Sequence, residues 1–130
     1  MAVSGFVFCA LVTIGPVAMA AEQSARGDYL VSHVAMCVQC HTPRDSKGEL
    51  DRTRLFKGAP IPLRSPFPNH GWAFAAPAIA SLPGWTDHDA VALLTTGHRL
   101  TGHTPKAPMP PFRLSRDDAD AVIAFLRSLP

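Results

Sequence analysis

Cys37, Cys40 and His41 stand together in the run Cys37-Val38-Gln39-Cys40-His41. This is C-x-x-C-H, the attachment signature of covalent haem c. On a helix, positions i, i+3 and i+4 share one face. The two thiols can then add to the two haem vinyl groups, while His41 comes under the iron as proximal ligand. Other uses of the same residues fit less well. A zinc site would want a second Cys/His pair, and no further cysteine follows. A thioredoxin-like redox pair would want a βαβ context, and no strand is expected.

Met109 is the candidate for the sixth iron position. It lies in Pro108-Met109-Pro110-Pro111, where flanking prolines limit the swing of the thioether. The chain between His41 and Met109 is long enough to pass round a haem edge and return on the other face. Met36 adjoins Cys37 and is tied to the proximal side, and Met1 and Met19 belong to the amino-terminal segment. His70 and His103 are the competing ligands.

These residues need elements to hold them. The chain has 130 residues, enough for one domain, with 13 prolines and 9 glycines. Ten of the prolines fall between Pro60 and Pro111, which excludes a long helical bundle across the middle. The pattern predicts an all-α protein with three main helices and long proline-rich loops. Ser24 to Cys40 reads as the first helix, with Ser24 as cap and Tyr29, Leu30, Val34 and Cys37 on one stripe. A middle helix starts at Thr86, with Asp89 at the capping-box position, and stops at Gly97. In the last helix, Ser115 is the cap, and Ala119, Val122, Ile123 and Leu126 repeat at helical spacing. So little regular structure leaves a thin core, which a buried prosthetic group would complete.

Residues 1–21 carry no charged side chain and end in Ala18-Met19-Ala20 before Ala21 and Glu22. They read as an export signal, or else as an uncleaved anchor. The expected organisation is therefore a signal at 1–21 and a monohaem domain at 22–130. Export is consistent with haem attachment, which is completed outside the cytoplasm. A net charge of +2, without a dense basic run, argues against nucleic acid. Six of the twelve basic side chains lie between Arg44 and Arg64, against three acids, so this stretch could steer an acidic partner.

With these motifs in hand, the chain resembles a class I c-type cytochrome. The resemblance rests on Gly27-Asp28-Tyr29-Leu30, Cys37 to Thr42, Met109-Pro110-Pro111 and the terminal Ile123 to Leu129. More narrowly, Cys40-His41-Thr42-Pro43-Arg44-Asp45 and Lys57-Gly58-Ala59-Pro60 resemble cytochrome subunits of periplasmic alcohol and aldehyde dehydrogenases. The resemblance implies a cytochrome c fold around one covalent haem, with iron between His41 and Met109. It implies a non-enzymatic electron carrier, taking electrons from a periplasmic dehydrogenase and passing them to an oxidase or another cytochrome in a respiratory chain. It implies that the first and last helices cross at Gly27, against Phe125 and Leu126. It also implies a proline carbonyl on the proximal histidine, for which Pro60 and Pro62 are the candidates. Trp72 and Trp85 are either haem-edge contacts or core aromatics. The alternative function is a haem enzyme or gas-binding protein, such as a small peroxidase, with an open distal side.

Overall fold

A computed structural model describes residues 15–67, 71–102 and 104–130. Helix α1 runs over Pro16–Tyr29 and passes into a π-helical turn at Leu30–Val34. Helix α2 is the short Cys37–His41 segment, α3 spans Asp87–Thr96 and α4 spans Arg116–Ser128. A 3-10 turn at Arg52–Arg54 lies in the loop after α2. The expectation of three main helices and long loops therefore holds.

The first helix differs from the expected Ser24–Cys40 span. Pro16 occupies the first turn, where its missing N–H costs nothing, so the helix starts upstream and Ser24 is interior to it. The π turn, closed by the Ala35 N–H on the Leu30 carbonyl at 2.7 Å, holds one more residue than an α turn. That shifts the phase of the apolar stripe. Leu30 and Val31 are buried, whereas Tyr29 and Val34 are exposed. Met36 then adopts a left-handed conformation at φ 55°, which breaks the chain before α2. The haem-motif helix is thus a separate element.

No strand was expected, yet two very short ones form. β1 (Ala59–Pro60) pairs antiparallel with β2 (Ala75–Ala76), with Ala59 opposite Ala76. Gly58 makes this possible. At φ +85° a Cβ there would meet the Ala78 nitrogen at 2.8 Å. The pairing ties the proline-rich loop back across the molecule and brings the segment after β2 beside α2.

α1 and α4 cross at Gly27. A Cβ on Gly27 would lie 2.1 Å from the Ala121 carbonyl oxygen and 2.7 Å from Phe125 Cβ. Only a glycine allows the two backbones this close. Helix α4 buries Ala119, Ala121, Val122, Ile123 and Leu126, matching its sequence stripe. Its Ser115 hydroxyl accepts the Asp118 N–H at 3.1 Å, and Thr86 caps α3 in the same way through Asp89. Leu30, Val31, Phe56, Val122 and Leu126 form the centre of the core. Arg127 locks the end of α4 to the loop before α3, donating to the Ser81 and Trp85 carbonyls, both at 2.6 Å, and to Asp87.

Candidate haem site

Loops and helices line a cavity of about 470 Å³ that is partly open to solvent. That lies within the range of cofactor sites. Cys37, Cys40, His41 and Met109 all line it. The four residues singled out by the sequence come from two distant segments, and the fold brings them to one space. His70 and His103 lie outside the described residues, as do residues 1–14 of the amino-terminal segment.

α2 places the proximal set. Its single turn puts Cys37, Cys40 and His41 on the cavity, with Cys37 partly buried and Cys40 exposed. The two cysteines form no disulfide, so both sulfurs are free to react. Burial pushes the Cys37 thiol up to about 11, so it is protonated at neutral pH.

The His41 ring is oriented by Pro77, whose carbonyl oxygen lies 2.7 Å from Nδ1. A carbonyl can only accept, so Nδ1 carries the proton and Nε2 keeps its lone pair for a metal. Burial pushes the His41 pKa down, and the Pro77 carbonyl partly opposes this. The neutral, ligating form is therefore the resting form. Pro60 and Pro62 do not take this role. They lie on or beside β1, whereas the chain leaving β2 carries Pro77 alongside α2. The pairing of β1 with β2 could not be read from proline spacing.

Met109 sits in a loop on the cavity wall and is partly buried. Its N–H donates to the Lys106 carbonyl at 3.2 Å, and Ala107 bridges to Trp72. The flanking prolines and these two backbone ties hold the thioether at the site. Trp72 itself donates to the Leu63 carbonyl at 2.9 Å and lines a second, separate hollow with Leu63, Phe67 and Phe74. Trp85 lines the large cavity. The two tryptophans thus divide between a loop brace and a site contact.

Arg99 went unremarked in the sequence. Its guanidinium stacks on the Trp85 ring at 3.9 Å and lines the cavity. Nη2 is 3.6 Å from Asp89 Oδ2, and both side chains are largely buried. Asp89 also accepts the Thr101 hydroxyl at 2.6 Å and the Thr101 N–H at 3.1 Å. These bonds, the hydroxyl first, hold its pKa below the usual carboxylate value. Arg99 Nε, however, is buried without a hydrogen-bond partner among the described residues. An orphaned cationic N–H beside an apolar cavity fits a haem, whose propionates are anionic. The donor set fits too: thiols at the two attachment positions, a neutral imidazole and a soft thioether. Among the described residues no cluster of three His, Cys, Asp or Glu could hold a bare metal ion.

Comparison with known proteins gives the same direction. Residues 24–130 match the cytochrome c family model. The chain is 30% identical over 115 residues to the fructose dehydrogenase cytochrome subunit of Gluconobacter japonicus. That match covers 81% of this chain and 22% of the subunit. It is 29% identical over 116 residues to a diheme cytochrome c-type protein of Cereibacter sphaeroides, covering 85% of this chain and 36% of the relative. The chain thus spans about a fifth and about a third of these two relatives.

Proposed function

Since this chain belongs to the cytochrome c family, we propose that it is an exported one-electron carrier holding a single haem c. Cys37 and Cys40 would hold the haem covalently, and His41 and Met109 would ligate its iron. The observation that carries this is the convergence of all four side chains on one largely apolar cavity. Bound there, the haem supplies reversible Fe(II)/Fe(III) chemistry.

The chain's own groups set the conditions. Cys37 and Cys40, both free and both on the cavity wall, would supply the two sulfurs that hold the haem covalently. The Pro77 carbonyl fixes the His41 tautomer and makes the ring a better donor. The Met109 sulfur is a soft ligand and favours Fe(II). Proline loops and the apolar faces of α3 and α4 line the site, and such an apolar surround would also favour the lower charge. Were His41 and Met109 both to hold the haem iron, no position would be left for substrate, which suits transfer better than catalysis.

The donor is read as a periplasmic dehydrogenase, by analogy with the fructose dehydrogenase cytochrome subunit. The acceptor would be an oxidase or another cytochrome. An exported location is supported by the apolar, uncharged run at 1–21. The side chains of Val17 to Gln23 are exposed and add nothing to the core. Among the described residues no helix is long and apolar enough to cross a membrane.

The test is production with export and haem-maturation machinery. Haem that stays with the chain through acid-acetone extraction, reversible reduction and the weak red ferric–thioether band are expected. A ferrous form that binds carbon monoxide at once at neutral pH would instead favour the gas-binding or peroxidase reading.

A further inference from the structure

Side chains alternate along the segment from Trp72 to Ala75. Ala73 and Ala75 line the large cavity, while Trp72 and Phe74 line the second hollow. One thickness of chain therefore separates the two spaces, with small residues on one side and aromatic ones on the other. Ile61 and Lys106 reach both. The backbone behind the hollow is fixed. The Ile61 N–H donates to the Phe74 carbonyl at 2.8 Å, the Ala73 N–H donates to the Ala107 carbonyl at 2.7 Å, and the Trp72 indole braces Leu63. Its apolar side chains nevertheless face solvent: Leu63 is 58% exposed, Phe67 62% and Phe74 86%. Scattered apolar residues are normal on a surface, but a gathered group of large ones marks a contact site.

The charge around this hollow is of one sign. Arg64 and Lys106 line it, and among the described residues no carboxylate does. A second copy of the chain is poorly equipped to meet that charge, because Asp51, Asp87, Asp89, Asp118 and Asp120 are already in ion pairs within the chain. A lipid surface is flat, whereas a hollow accepts a protruding side chain. We propose that the hollow around Phe74 docks an electron-transfer partner protein that presents an apolar side chain ringed by carboxylates. This rests on the electron-carrier reading. The apolar centre would supply residence, and Arg64 and Lys106 would set orientation. A pre-formed wall loses little freedom on binding. A partner seated there lies one layer of chain from the large cavity, on the side where that layer carries only alanine.

The experiment uses the haem-loaded protein and a peptide probe with one phenylalanine between two Asp-Glu pairs. Titration followed by NMR should move the Trp72 indole N–H and the Leu63 and Phe74 signals, and the effect should weaken as salt rises. Phe74→Ser changes an exposed side chain and should weaken binding about fivefold or more. Arg64→Glu should weaken it as well. Val34→Ser alters an exposed residue that lines neither space and should bind as the parent does. The same peptide carrying a one-electron-reduced flavin should pass that electron to Fe(III), at a rate that saturates with peptide and falls in Phe74→Ser. Shifts confined to another face, equal binding of a peptide with serine in place of its phenylalanine, or a parent-like rate in Phe74→Ser overturns the proposal. So does Phe74-dependent dimerisation in sedimentation, which assigns the hollow to a second copy, or Phe74-dependent pelleting with phosphatidylglycerol vesicles, which assigns it to a membrane. A chain that takes up no covalent haem sinks the haem reading and this proposal together, whereas failed docking by a fully loaded chain sinks the proposal alone.

Discussion

Met109 is the residue on which the carrier and the open-site readings divide. It lies on the cavity wall, braced through Lys106 and Ala107. Met109→Ala should abolish the red ferric band, admit carbon monoxide to the ferrous iron and lower the reduction potential. Met109→His should remain six-coordinate and still lower the potential, because imidazole favours Fe(III) more than a thioether does. A red band that survives in Met109→Ala would move ligation to another residue. At the attachment positions, Cys37→Ala or Cys40→Ala should give little holoprotein after maturation. The measurement is covalently bound haem per chain, and a parent-like yield of doubly attached haem would remove the motif reading. His41 shows how far residue-level reading reaches. Its proposed role follows from the motif, but the carbonyl that fixes its tautomer belongs to Pro77, which is 36 residues away.

Among the elements, the contact of α1 with α4 is the tightest. Gly27 faces the backbone of Ala121 and the Cβ of Phe125 at distances no side chain tolerates. Gly27→Val should force the helices apart and destabilise the holoprotein by about 3 kcal/mol or more, at the upper end of overpacking costs. Thermal unfolding followed by the haem band measures it, and a melting temperature within a degree of the parent would contradict the crossing. By contrast, Ser115→Ala removes only a cap from α4 and should cost about 1 kcal/mol. Caps and stripes at α3 and α4 were legible because they are local: Thr86, Gly97 and Ser115 act within one turn. The first helix was not, because a π turn and a left-handed Met36 are invisible to a simple 3.6-residue count.

At the scale of the molecule, charge sets the response to pH and salt. Asp51 has its pKa lowered to about 2, first by the Thr53 hydroxyl and then by Arg54. Asp89 is lowered as well, by Thr101 and Arg99. Both folded values lie below the unfolded one, near 4, so folding holds these groups in the charged form. Their stabilisation is present above the unfolded value and is lost as the pH falls below it, for Asp51 as far as its folded value of about 2. Acid unfolding of the holoprotein should therefore begin in that window, and Asp51→Asn should flatten it. A parent-like acid profile in that variant would exclude Asp51 as a source. The basic stretch from Arg44 to Arg64 is less free than its sequence implies. Arg44 donates to Gly48 and Gln39, Arg54 to Asp51, and Lys57 to the carbonyl of Pro130. Lys47, Arg52 and Arg64 remain for steering. Reduction by an acidic partner should slow with rising salt, but only modestly. A rate indifferent to ionic strength would remove the steering claim.

The sequence by itself determined the C-x-x-C-H spacing, the proline-flanked Met109 loop and the caps of α3 and α4, each written in neighbouring residues or in a spacing of three and four. The crossing at Gly27 was implied by the family resemblance and not by spacing, because it joins residues more than ninety positions apart. Only the tertiary structure decided which proline carbonyl meets His41 and which loops pair as β1 and β2. It also decided that Arg99, Thr101 and Trp85 gather around the buried Asp89 and one another beside the cavity. Those contacts join segments separated by loops whose paths proline and glycine permit but do not dictate. Asp89 illustrates the difference: its N–H serves the Thr86 cap, as the local pattern predicts. Its carboxylate is claimed by residues ten and more positions further on, because burial in a low-dielectric site makes an unpaired charge costlier than the loop order needed to satisfy it.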